Sequence, residues 1–183
     1  MKTVLQRVKS ASVTVDGVLI SSIGKGLLIF AGVAKDDTLK EVESMANKVL
    51  KVKLWEGDDG KQWKKNVQEI DGEILCVSQF TLLASAKKNK PDFHKAAPPG
   101  PAKELYDRFF QTVQKEYKAD RVKDGVFQAM MDVGLVNDGP VTIEIETSPP
   151  PMANPTGLDL PGDATVMKGK IQKQFTLPAS LLE

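Results

Sequence analysis

Apolar and polar positions alternate near both ends of the first 147 residues and follow a longer period between them. In VTIEIE (141–146), Val141, Ile143 and Ile145 fall on one side and Thr142, Glu144 and Glu146 on the other, the period-two pattern of a half-buried strand. TVLQRVKSASVTVDGVLISSIG (3–24) reads as strand, strand, turn, strand. GLLIFAGV (26–33) is apolar throughout, as expected of a short strand buried on both faces. The period then lengthens. In DDTLKEVESMANKVLKVKLW (36–55), Leu39, Val42, Ala46, Val49 and Leu50 recur at helical spacing, and Asp37 or Thr38 is placed to cap the start. EGDDGKQWKKN (56–66) is polar and loop-like. EILCVSQFTLLA (73–84) is a strand that runs into something less regular, and 84–101 reads as a long polar loop. A second helix is expected over 101–117, with Pro101 in its first turn and Leu105, Phe109 and Val113 as its buried stripe. Residues 121–147 read as two or three strands joined at Asp-Gly turns.

This order predicts an α/β chain of the mixed α+β kind. Its sheet would be mixed, largely antiparallel and barrel-like, with two main helices packed against it. One domain is expected over 1–147. From Ser148 the chain turns rich in Pro and turn residues and loses its period, so 148–183 is expected to be a partly flexible extension, with FTLPASLLE (175–183) as one short docked segment.

Composition narrows the function classes. The net charge is +1, which excludes a polycationic nucleic-acid binder and leaves RNA contact to local patches such as Lys87, Lys88 and Lys90. Cys76 is the single cysteine, so no disulfide forms within the chain. The first residues alternate and carry charge, unlike the apolar core of a signal peptide, and no 18-residue apolar run occurs. A soluble, cytoplasmic protein without membrane contact is expected.

Several chemistries lack their parts. His94 and Cys76 are single residues of their kinds, so no Cys/His metal cluster exists in one chain and no metal or cofactor is expected. His94 reads as an exposed loop residue, not as the base of a triad, and no G-x-S-x-G elbow is present. GKG (24–26) lies between strands and does not open a helix, so it is not a phosphate loop.

Two stretches remain. SQFTL (78–82) places Ser78, Gln79 and Thr81 beside Phe80 at the end of a buried strand. It reads either as strand-edge polarity or as a site that stabilises an oxyanion with positioned donors. VNDGPVT (136–142) puts Gly139-Pro140 at the mouth of a strand. It reads either as a hairpin turn or as main chain with a working role.

SQFTL and NDGPVT together, in this order and spacing, resemble D-aminoacyl-tRNA deacylases. LQRV (5–8), SASVTVDG (10–17), GKGLLIFAGV (24–33) and NKPDFHKAAPP (89–99) extend the resemblance over about residues 1–147. It implies hydrolysis of the ester of D-aminoacyl-tRNA to free D-amino acid and tRNA. It further implies a homodimer with active sites at the subunit interface and a cis Gly139-Pro140 peptide projecting into the partner's site. Ser78, Gln79, Phe80 and Thr81 would then be the catalytic group around the ester and the terminal adenosine. Gly139 and Pro140, with the adjoining Val141 and Thr142, would bind the aminoacyl group, and Arg7 would hold the Gly-Pro segment. Main-chain carbonyls facing the chiral centre would reject L-aminoacyl groups but not glycine, so glycyl-tRNA is expected as a further substrate. The substrate's own 2′-hydroxyl would assist hydrolysis, consistent with a site that has no evident base. One departure stands out: Gln128 occupies a stretch where the family usually shows glycine. Two other readings of the residues are an RNA-binding module without chemistry and a hydrolase of small-molecule esters.

Overall fold

The computed structural model describes residues 1–87 and 89–149. Lys88 of the expected basic patch, and nearly all of the expected extension with its FTLPASLLE segment, lie outside them. The elements are β1 (Lys2–Val15), β2 (Val18–Ile23), β3 (Gly26–Gly32), α1 (Leu39–Lys51), β4 (Glu73–Ser78), a 3₁₀ turn (Phe80–Leu83), β5 (Ser85–Lys87), β6 (Lys90–Asp92), α2 (Pro99–Glu116), a second 3₁₀ turn (Ala119–Arg121), β7 (Val122–Asp124) and β8 (Asp132–Glu146).

The main sheet runs β2-β1-β3-β4-β7, with β8 on the free side of β1. β1 is antiparallel to β2, β3 and β8, while β4 is parallel to β3 and β7. The sheet curls until its ends meet, where the Ser21 hydroxyl donates to the Asp124 carbonyl at 2.8 Å. The result is a nearly closed, barrel-like mixed sheet with two helices on its outer face, as the mixed α+β reading expected.

Burial on both faces explains the unbroken apolar run of β3. Leu27 and Ile29, with Ile74 and Cys76 of β4, meet Met45, Val49, Tyr106, Phe109 and Val113 of the helices. Leu28, Leu75 and Val77 point the other way, onto Val8, Val13 and Ile23 inside the curl. Thr38 caps α1 in a reciprocal pair with Glu41. The buried stripe of α1 takes in Met45 and leaves Leu39 exposed, because Leu39 stands on the first helical residue, off the packed face. In α2 the stripe centres on Tyr106, Phe109 and Val113, with Leu105 at its margin.

Three expectations need correction. The first strand is not split: β1 is continuous for 14 residues, and its irregularity is a bulge at Lys9 between the pairs Val8–Asn137 and Ser10–Val136. The loop at 84–101 contains the small β5–β6 hairpin, whose strands are too short to show a period; Asn89, at φ +61°, supplies its tight turn. The hairpin reading of Asp138-Gly139 also fails. Both limbs of β8 pair with the same strand, β1, so the chain does not reverse there.

Gln128 sits exposed with φ +64°, in the left-handed region that favours glycine. It lies in the stretch where the resemblance noted in the sequence leads one to expect a glycine. Gln128→Gly is therefore expected to stabilise the fold by roughly 0.5–1 kcal/mol, the backbone relief being partly offset by glycine's chain entropy. Thermal unfolding should show a rise of about 2 °C.

Candidate functional site

The β1–β8 register breaks at one place. Arg7 pairs with Val141 and Val8 with Asn137, so Asp138, Gly139 and Pro140 bulge out of β8 with no partner on β1. Pro140 gives up no ladder bond there, which resolves its place inside a strand. The Gly139–Pro140 peptide is cis, and Gly139 has φ +131°. A Cβ on Gly139 would lie 2.9 Å from Val141 Cγ2 and 3.1 Å from Arg7 Nη2, so both conformation and space require glycine.

Arg7 is the anchor of this bulge. Its side chain is only 13 % exposed, and Nε donates to the Asp138 carbonyl at 2.9 Å and faces the Asp138 carboxylate at 3.4 Å. Nη1 donates to the carbonyl of Leu54, in the segment after α1. One planar guanidinium thus ties the bulge to a second segment. A lysine ammonium, a single point charge on a flexible stem, does not match that fork. Arg7→Lys is expected to leave a carbonyl unpaired, to cost about 1–3 kcal/mol of stability, and to slow turnover. Urea unfolding and a single-turnover assay check the two halves of this expectation.

A second constellation forms where β4 ends. Ser78 pairs in register with Ala31, and Gln79 N–H donates to the Ala31 carbonyl at 2.8 Å. Gly32 lets the Gln79 backbone pass closely, for a Cβ there would lie 2.8 Å from the Gln79 carbonyl oxygen. Gln79 Nε2 donates to Thr81 Oγ1 at 2.5 Å. Phe80 and Thr81 open the 3₁₀ turn, so their N–H groups have no backbone partner among the described residues. Phe80 is 58 % exposed, with the edge-on ring of Phe93 at 5.1 Å between centroids. The segment carrying Phe93 is strapped to the end of β3 by Ala97 N–H to the Val33 carbonyl and Lys35 N–H to the Lys95 carbonyl. His94 is exposed and its Nδ1 lies 2.7 Å from Asp92 Oδ2.

Ser78, Gln79, Phe80 and Thr81 therefore come together, and so do Arg7, Gly139 and Pro140. The two groups do not meet in one chain. Arg7 is level with Leu27 and Ile74, whereas Ser78 is four residues further along β4, about 13 Å in the strand direction. Val141 packs on the helix-side core, and Thr142 is exposed. Sequence reasoning missed Asp138 as the partner of Arg7, although its charge stood in the motif. The Leu54 carbonyl carries no signal in a side-chain pattern.

Buried titratable groups lie elsewhere. Burial, and then the Asp124 charge, push the Cys76 thiol well up, which keeps it protonated and unreactive. Tyr106 donates to Asp124 Oδ1 at 2.5 Å; burial raises both groups, and the Asp124 charge adds to the rise at Tyr106. Among the described residues no group of three or more His, Cys, Asp or Glu could hold a metal ion, and no helix is long and apolar enough to cross a membrane.

The family model of D-Tyr-tRNA(Tyr) deacylase matches residues 4–146. The chain belongs to that family. A D-aminoacyl-tRNA deacylase of Yarrowia lipolytica is 55 % identical over 150 residues, which cover 80 % of this chain and 97 % of the relative. D-aminoacyl-tRNA deacylase 1 of Homo sapiens is 49 % identical over 150 residues, covering 82 % and 72 %. Among solved structures, the c-Myc DNA unwinding element binding protein is 48 % identical with a TM-score of 0.79, over 81 % of this chain and all of that one. A probable eukaryotic D-amino acid tRNA deacylase shares the fold at a TM-score of 0.69 and 18 % identity, over 79 % of this chain and 97 % of that one. The family match contains both constellations, from Arg7 to Thr142, and ends where the period of the sequence ends.

Proposed function

We propose that this member of the deacylase family hydrolyses the ester of D-aminoacyl-tRNA, releasing the D-amino acid and tRNA. The observation that carries the reading is a donor-rich corner whose own residues, Ser78 to Thr81, include no acid or base, accompanied by a glycine-proline bulge held by Arg7. The catalytic domain is residues 1–147, with 148–183 a separate extension, and its setting is the cytoplasm.

At the corner, the unpaired N–H groups of Phe80 and Thr81 are suited to a developing oxyanion, and the Phe80 ring to stacking on the terminal adenine. Ser78 and Gln79 supply further donors around the ester. No residue there acts as a strong base, so the 2′-hydroxyl of the terminal ribose fills that role. The reaction as read needs no cofactor.

The bulge supplies selectivity. Main-chain carbonyls beside Cα leave room for hydrogen but not for a side chain on one face, which rejects L-aminoacyl groups and admits glycine. The 13 Å offset between the two constellations supports a homodimer, in which Gly139 and Pro140 of one copy enter the corner of the other. Val141 serves by packing under the bulge, and Thr142 flanks the substrate.

The test is release of tyrosine from D-tyrosyl-tRNA and from L-tyrosyl-tRNA. Fast release from the D form alone is expected, with glycyl-tRNA also cleaved. Equal rates on both enantiomers, or none on the D form, would overturn the reading. A second reading, nucleic-acid binding without chemistry, draws on the 48 % identity to the c-Myc DNA unwinding element binding protein. It predicts a complex with tRNA and no release.

A further inference from the structure

We propose that the end of α1 and the 56–66 loop form the surface that holds the acceptor end of the tRNA, with Trp63 as a stacking platform for an unpaired base. The inference rests on the deacylase reading and adds a second contact region to it. Residues 48–65 hold six lysines against three acids, in a chain whose net charge is only +1. Two of the lysines are neutralised within the loop, Lys61 by Asp59 at 3.5 Å and Lys65 by Asp58. Glu56 is engaged by Gln62 Nε2 at 3.2 Å. Lys48, Lys51, Lys53 and Lys64 are exposed and have no carboxylate partner among the described residues.

Between these lysines stands an aromatic residue in an unusual position. The chain has two tryptophans. Trp55 is buried in the core, whereas Trp63 is 54 % exposed and held at φ +61°, a conformation that bulky residues rarely adopt. No ring or cation packs on it among the described residues. Exposed indole beside unpaired lysines is the arrangement that single-stranded nucleic acid favours: phosphates pair with the ammonium groups while a base stacks on the ring.

The surface is tied to the site. Lys64 N–H donates to the Trp55 carbonyl at 2.8 Å, and Leu54 N–H donates to the Lys65 carbonyl at 2.9 Å. The Leu54 carbonyl in turn accepts from Arg7, which holds Asp138, the residue before Gly139. Lys53 adjoins Leu54, and Lys64 is bonded to Trp55, so the lysine-bearing segment is joined through Leu54 and Arg7 to the Gly-Pro bulge.

The experiment uses uncharged tyrosine tRNA and the full chain. Binding is measured across a salt series for wild type, for the triple variant Lys51→Ala, Lys53→Ala, Lys64→Ala, and for Trp63→Ala. The triple variant is expected to bind about tenfold or more weakly, with a salt slope shallower by roughly 2–3, one phosphate contact per lysine. Trp63→Ala is expected to weaken binding with little change of slope, and wild-type tryptophan fluorescence should be quenched by tRNA. On D-tyrosyl-tRNA both variants should show a raised KM and an unchanged kcat. Unchanged affinity and slope, or loss of kcat with wild-type tRNA affinity, would overturn the proposal. Should wild type release no D-tyrosine, the hydrolase reading falls, while the binding series still decides the surface.

Discussion

Gly139→Ala is expected to lower D-tyrosyl-tRNA deacylation by at least about 100-fold, because a displacement near 1 Å at a positioning group has an effect of that size. The argument is steric. At φ +131° an L side chain is strained, and the added methyl would lie 2.9 Å from Val141 Cγ2 and 3.1 Å from Arg7 Nη2. The Arg7 guanidinium cannot retreat without releasing the carbonyls of Asp138 and Leu54, so the bulge itself must shift. Strain of this kind costs of order 1–3 kcal/mol, small enough for the variant to fold, which circular dichroism would verify. A wild-type rate with wild-type preference for the D form would remove Gly139 from the site.

A tRNA ending in 2′-deoxyadenosine is expected to lose at least about 100-fold in rate, the scale of a lost proton-transfer group. Thr81→Ala should stay within about tenfold of wild type, since it removes one neutral hydrogen bond, that from Gln79 Nε2. The two measurements belong together. A side-chain nucleophile would show the opposite pattern, with the deoxy substrate cleaved and the alanine variant dead. The geometry speaks against Thr81 as nucleophile: Thr81 Oγ1 faces an amide, and none of Ser78, Gln79 and Phe80 offers a base to take its proton.

What was legible in the chain divides along physical lines. β3 showed itself because both its faces are buried, and α1 and α2 because one face of each is. Leu39 and Met45 were misjudged because a periodic stripe is blind to which edge of it the sheet covers. The split of β1 and the hairpin at Asp138-Gly139 share a cause: polar residues and turn formers suggest an end, but a long partner strand carries the chain through a bulge. SQFTL and NDGPVT were visible as motifs. Their separation within one chain was not, since it depends on the register of β1 against β3 and of β3 against β4.

The bulge between Asn137 and Val141 also sets a rule for inheritance. Beyond it, side chains change face with every residue, so the pairing of Val141 with Arg7 decides which way the rest of β8 points. A deletion that slipped this pairing by one residue would act on faces as a frameshift acts on codons: Val141, Ile143 and Ile145 would turn to solvent, and Thr142, Glu144 and Glu146 toward the core. The unpaired residues 138–140 are where a change of length can be taken up, whereas a slip after Gly139 is registered down the full remaining length of β8.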